Sequence, residues 1–534
     1  MRISFIKGGF AILSAAILVS SCAKKLDLYP QNDLTPATTY STAAGYKSVL
    51  AKVYAGLATT GNAGPAGASD IQGLDEGSQS PFIRGFFNAQ ELPTDEAIVS
   101  WDDQTIKDFH GLRWTSSDPF LLGLYSRLVY NVTIGNEYLR EAADDKLASH
   151  GITGADATEI ASTRAEVRWL RAFNYWAMID LFGKSTFITE EDAVGTSLPE
   201  QINRNELFNY LETELKAIET ELAPAKTIEY GRVDQAACWA LQARLYLNAE
   251  VYTGTARYAD AIMYAKKVID AGYSLVSGYS KLFMADNDKF TDEIIFAINC
   301  DGLRTQSYGN TTFLVHAPAG DDHADYGIGG GWYGYRTTKA FVDLFSDPSG
   351  TTDQRAMFTN LSNATINDVG LFEQGVHVRK FRNIRTDGQP VSDAQGNFAD
   401  IDFPVFRLAE MYFIYAEAFL RGGSGGDAAT ALEYLNKIRF RAYGDSYGTG
   451  NTAQLNPSDL TLQTLLDERG RELYWEGHRR TDLIRYGLLT TGTYLWPWKG
   501  GVASGTAVDS KYRIFPIPAT VRTANPNLEQ NPGY

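Results

Sequence analysis

At 534 residues, with 44% hydrophobic and 21% charged residues, the chain can bury a large core and is too apolar to be disordered. A formal net charge of −16 argues against nucleic acid and against adsorption to anionic lipid, since both call for a basic patch. Three cysteines do not make a disulfide scaffold in a chain of this length. Cys238 and Cys300 read as buried free thiols, with a disulfide between them as the alternative.

The first element in chain order is a secretory signal over residues 1–21. Arg2 and Lys7 form a positive n-region, and Phe10 to Val19 form an apolar run far short of the roughly 20 residues a spanning helix needs. The end of this run, Val19-Ser20-Ser21-Cys22, resembles a bacterial lipobox. The expectation is cleavage before Cys22, acylation of Cys22, and attachment to a membrane through that lipid, because no later stretch approaches a membrane span. Residues 22–42 are polar and Pro-broken and read as a leader from the anchor. Ser41 or Thr42 is placed to cap a helix whose apolar face is Tyr46, Leu50, Val53, Tyr54 and Leu57. Residues 60–80 read as a loop, and helices follow from about 119 to 143 and from about 157 to 182, the second stopped by Gly183.

Two later segments share an arrangement. Ala236 to Ala271 and Leu408 to Arg441 each read as two helices, with small residues at the crossing and an aromatic at the turn into the second helix. This loosely resembles tetratricopeptide helix pairs. Between and after these pairs the texture changes. Residues 300–405 and 490–515 are rich in Gly, Asp, Asn and aromatics, with short strand-like runs such as Gly375 to Phe381, and the strand-like run Glu293 to Asn299 ends just before, at Cys300. The fold expected is mainly α. A tetratricopeptide-like helical scaffold occupies 43–275 and 405–490 of a single body spanning 43–534. An irregular lobe comes from 60–118, 300–405 and 490–515.

Several blocks carry a family resemblance. Leu26-Asp27 with Pro30 follows Cys22. Glu166-Val-Arg-Trp-Leu-Arg-Ala-Phe-Asn-Tyr-Trp runs to Leu181-Phe182-Gly183, and Gly231-Arg-Val precedes Ala243-Arg-Leu-Tyr-Leu. Arg407-Leu-Ala-Glu-Met leads to Tyr415-Ala-Glu-Ala. Asp467-Glu-Arg-Gly-Arg-Glu-Leu leads to Glu476-Gly-His-Arg-Arg-Thr-Asp-Leu-Ile-Arg485. The end is Phe515-Pro-Ile-Pro, Asn525-Pro and Gln530-Asn-Pro-Gly-Tyr534. In this order the chain resembles the SusD/RagB family, nutrient-binding outer-membrane lipoproteins of Bacteroidetes. The resemblance implies a helical scaffold of four tetratricopeptide-like units with an inserted irregular lobe. It implies a lid on a SusC-like TonB-dependent transporter, facing the cell surface. It also implies capture of oligosaccharide, or of peptide in some branches, by a binding protein that is not an enzyme and needs no cofactor. The chain departs from the pattern after Cys22. Lys24 and Lys25 come before the only acidic residue there, Asp27, whereas lipoproteins exported to the surface in this phylum often place acidic residues directly after the Cys.

The charged blocks read as structure rather than chemistry. Glu166, Arg168 and Arg171, and Glu468, Arg469, Arg471 and Glu472, have the spacing of ion-pair networks. Glu410 and Glu417 read as packing or ion-pairing residues rather than as paired glycosidase carboxylates. His316 and His323 with Asp321, Asp322 and Asp325 lack tight metal-ligand spacing and read as a solvated loop. Asp286, Asn287, Asp288 and Asp292 lack the EF-hand pattern, and no Gly-Lys-Ser/Thr follows the run Gly327 to Gly331.

The candidate ligand contacts are loop aromatics with polar neighbours: Trp101 with Asp102, Asp103 and Gln104, then Tyr326, Trp332, Tyr333 and Tyr335. Trp496 and Trp498 flank Pro497 in a similar setting. A sugar offers flat C–H faces and a rim of hydroxyls, so its site wants an exposed aromatic platform ringed by carboxylates, amides or Arg. Packing onto the helical body is the other use for each ring. The competing functional classes are a peptide-binding receptor of the RagB type, a structural-assembly protein, and a surface glycoside hydrolase. The hydrolase needs two carboxylates facing one another about 5 to 10 Å apart.

Overall fold

The computed structural model describes residues 36–192, 195, 198–444 and 453–534. The signal segment, Cys22 and the leader through residue 35 lie outside the described residues. The first long helix, α1 (Ala43–Ala55), is capped by Thr42, whose hydroxyl oxygen accepts from the Gly45 N–H. Tyr46, Val53 and Leu57 of its apolar face are buried, and Leu50 and Tyr54 are half-buried. The scaffold continues with α2 (Phe82–Gln90), α3 (Pro119–Glu141), α4 (Arg164–Leu181), α5 (Arg204–Ile218), α6 (Gln235–Leu247) and α7 (Tyr258–Asp270). After the lobe come α8 (Leu408–Leu420), α9 (Ala428–Tyr443), α10 (Leu462–Leu473) and α11 (Arg479–Arg485).

The helix expected over 157–182 is divided. Gly154–Ser162 forms one helix and α4 the next. The break falls at Thr163, whose hydroxyl donates back to the Ile160 carbonyl at 2.7 Å and meets Tyr138 Oη, so side chain and backbone compete for the ladder. Gly183 takes a φ of +73 and its N–H reaches the Met178 carbonyl at 3.0 Å, closing α4 with the left-handed residue that glycine supplies without strain.

The helices stack in series. α3 packs on α4 and α4 on α5; α6 packs on α7, α7 on α8 and α8 on α9. Ala240, Ala243, Ala261, Ala265, Ala416, Ala418 and Ala431 are all fully buried at these crossings. Contact between α7 and α8 joins two helix pairs that lie far apart in sequence into one stack, which is how tetratricopeptide-like units bury a shared core.

The described residues hold four two-stranded antiparallel ladders, and the lobe has little regular structure beyond them. Two position it. β2 (Ile294–Ile298) pairs with β4 (Phe403–Arg407), and β1 (Ile98–Val99) pairs with β3 (Tyr335–Arg336). Buried charge fixes the lobe to the scaffold. Arg407, 1% exposed, reaches Glu472 at 2.6 Å, Glu476 at 2.7 Å and Glu293 at 3.2 Å. Lys380 reaches Glu476 at 2.6 Å, and Arg355 reaches Asp353 at 2.7 Å and Glu468 at 2.9 Å.

The charged motif blocks are therefore ion-pair networks, as their spacing suggested, but most pairs run between elements rather than along one helix. Arg171 joins α4 to Glu214 of α5, Arg244 joins α6 to Glu410 of α8, and Arg485 joins α11 to Glu417 of α8. Cys238 and Cys300 are free and buried.

Candidate functional site

The two-residue ladder of β1 and β3 builds the site. Ile98 lies opposite Arg336 and Val99 opposite Tyr335, and the Ser100 N–H extends the pairing to the Gly334 carbonyl at 2.9 Å. Because the strands are antiparallel, the chain leaving β1 and the chain entering β3 emerge at the same end. That end carries Trp101 on one side and Trp332 and Tyr333 on the other. Gly334, with φ +108, is backed by Trp101 so closely that a Cβ there would lie 2.2 Å from the indole Nε1. The Trp101 ring thus rests on bare backbone, with Tyr335 edge-on to it at 5.0 Å.

Helix α2 supplies the floor. Asn88 accepts from Tyr335 Oη at 2.7 Å. One turn earlier on the same face, Arg84 places its guanidinium 5.5 Å from the Trp101 ring and 4.9 Å from Phe313, while Nη1 donates to the Gly77 carbonyl at 2.9 Å. Burial lowers the Arg84 pKa from its usual value, against the pull of Tyr335, Asp103 and Asp75. Its Nε has no hydrogen-bond partner among the described residues.

The 75–79 turn forms the next part of the rim. Asp75 accepts from the Gly77 N–H, the Ser78 N–H and the Ser78 hydroxyl at 3.1, 2.7 and 2.6 Å. Burial alone would raise its carboxyl, but the bonds from Ser78 and Gly77 outweigh burial and hold it below the usual range. Gln79 Nε2 donates to Gln104 Oε1 at 3.3 Å, and Gln104 itself sits at φ +45. A non-glycine residue held in that region marks a site where the surroundings dictate the backbone. Asp102 is exposed and pairs with Lys107 at 2.6 Å.

Tyr308 and Trp332 complete the row. Their rings meet edge-to-face at 6.1 Å, both half-buried, and the Gly77 backbone runs directly past the Tyr308 side chain. Trp332 is fixed from behind: its N–H donates to the His316 carbonyl at 2.9 Å and its ring stacks on the His316 imidazole at 4.9 Å and 27°. A Cβ on Gly331 would lie 2.1 Å from the Ala319 carbonyl oxygen, so the glycine run is what lets the chain pass there. Tyr333 is half-buried, takes φ +54 and lays its ring over Gly320. Its hydroxyl is raised by a hydrogen bond to Asp321.

Of the residues singled out from sequence, the fold brings Trp101, Asp102, Asp103, Gln104, Trp332 and Tyr333 to one end of the β1–β3 ladder. Two must be corrected. Tyr326 and Tyr335 are 0% exposed; each has both faces in the core and no surface to offer a ligand. Burial raises both hydroxyls well above their usual range. Trp496 is buried too, and Trp498 donates from Nε1 to the Ile366 carbonyl at 2.9 Å.

His316 is a further correction. Its loop is not solvated at that point: the residue is 3% exposed, and burial lowers its pKa. Asp325 pairs with Arg379 at 2.9 Å, and Asp286 accepts from the Thr386 hydroxyl at 2.8 Å. Among the described residues no group of three or more His, Cys, Asp or Glu side chains could hold a metal ion.

Sequence reasoning missed Tyr308, Arg84, Asp75 and Gln79. Tyr308 carried a usable signal, since Ser307-Tyr308-Gly309-Asn310 has the same glycine-and-aromatic texture as Gly331-Trp332. Arg84 carried none, because it sits inside a phenylalanine-rich helix. A cavity of about 980 Å³ opens elsewhere, between Tyr273, Tyr412, Leu432 and Arg441. Gly444 and Gln454 on its wall flank residues outside the described ones.

Comparison with known proteins agrees with this architecture. The starch-binding protein SusD of Bacteroides thetaiotaomicron is 36% identical over an alignment covering 100% of both chains. SusD-like protein P25 of Formosa agariphila is 22% identical over 88% of each. A solved SusD superfamily protein from Bacteroides thetaiotaomicron superposes with a TM-score of 0.70 at 20% identity, covering 92% of this chain and 100% of that one. Surface glycan-binding protein A from the same organism, solved with laminarihexaose, gives 0.67 at 20% identity, with 91% and 99% covered. The family model of the SusD family matches residues 347–534. On the full-length identity to a SusD protein and the shared fold, the chain belongs to the SusD family.

Proposed function

We propose that this chain is a glycan-binding lipoprotein. It is anchored in the outer membrane through a lipid on Cys22, faces the cell surface, and passes oligosaccharide to a SusC-like TonB-dependent transporter on which its helical stack sits. The observation that carries the binding reading is the row Trp101, Tyr308 and Trp332. These are three half-open rings with their backs supported, rimmed by Asp75, Gln79, Asp103, Gln104 and the Arg84 guanidinium. Rings take the C–H faces of successive sugars, and the rim exchanges hydrogen bonds with hydroxyls. Tyr333 extends the row.

An α-glucan is the first ligand to test, because the relative that matches the whole chain is a starch-binding protein. Two of the carboxylates near Trp101 suit binding rather than hydrolysis. Asp75 is held ionised by its own turn, and Asp102 is spent on Lys107, whereas a glycosidase needs one carboxyl kept protonated. The test is calorimetric titration of the soluble body with maltoheptaose and with laminarihexaose, followed by chromatography of the sugar. Saturable binding with the oligosaccharide recovered intact is expected; cleaved product would overturn the non-catalytic reading.

A further inference from the structure

The ring beneath Trp332 does more than fill space. Trp332 projects from a glycine run, Gly329-Gly330-Gly331, that has no side chains of its own to hold an indole in place. Its aromatic neighbours are Tyr308, edge-on at 6.1 Å, and His316, stacked at 4.9 Å and 27°. An edge contact leaves a ring free to tilt, whereas a stacked one fixes the plane of its face. His316 is itself immobilised. It lies at the end of the short helix Thr311–His316, it is 3% exposed, and its Nδ1 lies 2.7 Å from the Gly330 carbonyl oxygen. That bond makes Nδ1 a donor and fixes the orientation of the ring. The His316 carbonyl also accepts from the Trp332 N–H, so one residue holds the platform at both backbone and ring.

We propose that His316 is a positioning residue of the binding site: its imidazole is the back plate that sets the plane of Trp332 for stacking on a sugar ring. This rests on the reading of Trp332 as a platform. The stack is the active part, and the bond to Gly330 serves to orient the imidazole. A second flat ring of similar size should therefore replace His316, while a side chain that keeps only a polar group should not.

The test compares four variants with wild type by calorimetric titration with maltoheptaose, beside their melting curves: Trp332→Ala, His316→Ala, His316→Phe and His316→Asn. Trp332→Ala reports on the platform. If it loses affinity, the reading of the site stands and the His316 variants decide the inference. A stacked aromatic pair contributes enough for His316→Ala to weaken binding by about tenfold. His316→Phe should recover wild-type affinity to within about twofold, and His316→Asn should stay as weak as His316→Ala. Recovery by Asn and not by Phe, or wild-type affinity in His316→Ala while Trp332→Ala is impaired, would overturn the inference alone. Unchanged affinity in Trp332→Ala would remove the platform reading and the inference with it. Should His316→Ala fail to fold, the contrast between Phe and Asn still decides. A residue with only a structural role would lower the melting temperature in all three His316 variants and leave affinity level among them.

Discussion

An aromatic side chain works as a binding platform only when one face is supported and the other is open. Trp101 meets the first condition through Gly334, whose bare Cα packs against the indole. Replacing Gly334 with Ala introduces a Cβ 2.2 Å from Nε1 at a φ of +108, a conformation that costs a non-glycine residue about 1–2 kcal/mol before any clash. The indole must move, so Gly334→Ala should weaken maltoheptaose binding while wild-type secondary structure is kept. Calorimetry beside circular dichroism checks this, and wild-type affinity would show that the pose of Trp101 does not matter. At this scale the sequence was informative about residue type and blind to burial. Trp101 follows Ser100 and precedes Asp102, and Tyr335 lies between Gly334 and Arg336, so both have polar or small neighbours, yet the ladder turns one outward and seals the other against Asn88 and Phe313. Which ring faces out is decided by a pairing between distant segments, and local composition does not encode it. Arg84 was invisible for the complementary reason, since its role depends on which loop crosses α2.

Among the elements, the turn from α2 into β1 governs where Trp101 stands, and buried acids hold it. Asp95 takes a two-pronged bond from Arg479 at 2.9 and 2.9 Å. Glu91 accepts the Gly477 and His478 N–H groups at 2.6 and 3.1 Å, and Glu96 accepts the Trp475 N–H at 3.0 Å. Glu91 and Glu96 are 0% and 2% exposed and adjoin each other. Burial pushes the Glu91 carboxyl up to about 7, against bonds from Glu96 and the 477–478 backbone, and burial with the Glu91 charge raises Glu96 well above its usual value.

A carboxyl that binds its proton more tightly when folded stabilises the fold below its unfolded pKa of about 4.5, and loses that contribution as pH rises through 7. Glu91→Gln keeps a neutral, hydrogen-bonding side chain, so it should gain on wild type as pH rises from about 5 to 8. Denaturant unfolding at both pH values checks this, and parallel pH dependences would contradict it. Helix pairs such as α6–α7 were legible because both partners are local and share a period of 3.6. The β1–β3 ladder was not, since two residues a side give no alternation to read.

At the scale of the molecule, the stack of helices carries the lobe and the lobe carries the rings. None of the described helices is long and apolar enough to cross a membrane, and a net charge of −16 gives no attraction to an anionic surface. The proposed anchor is the lipid on Cys22. Mass spectrometry of the native protein should find a diacylated or triacylated Cys22 as the first residue, and an unmodified chain in the soluble periplasmic fraction would contradict the anchor.

The claim that the open rings bind sugar is tested most directly by titrating Trp101→Ala with maltoheptaose beside wild type. A sugar ring covering one indole face removes about 100 Å² from water, roughly 2.5 kcal/mol at about 25 cal/mol per Å². The expected result is a fifty- to hundredfold loss of affinity, to about that order, with the melting temperature held within a few degrees. Unchanged affinity, with or without a lower melting temperature, would contradict it and leave Trp101 as packing.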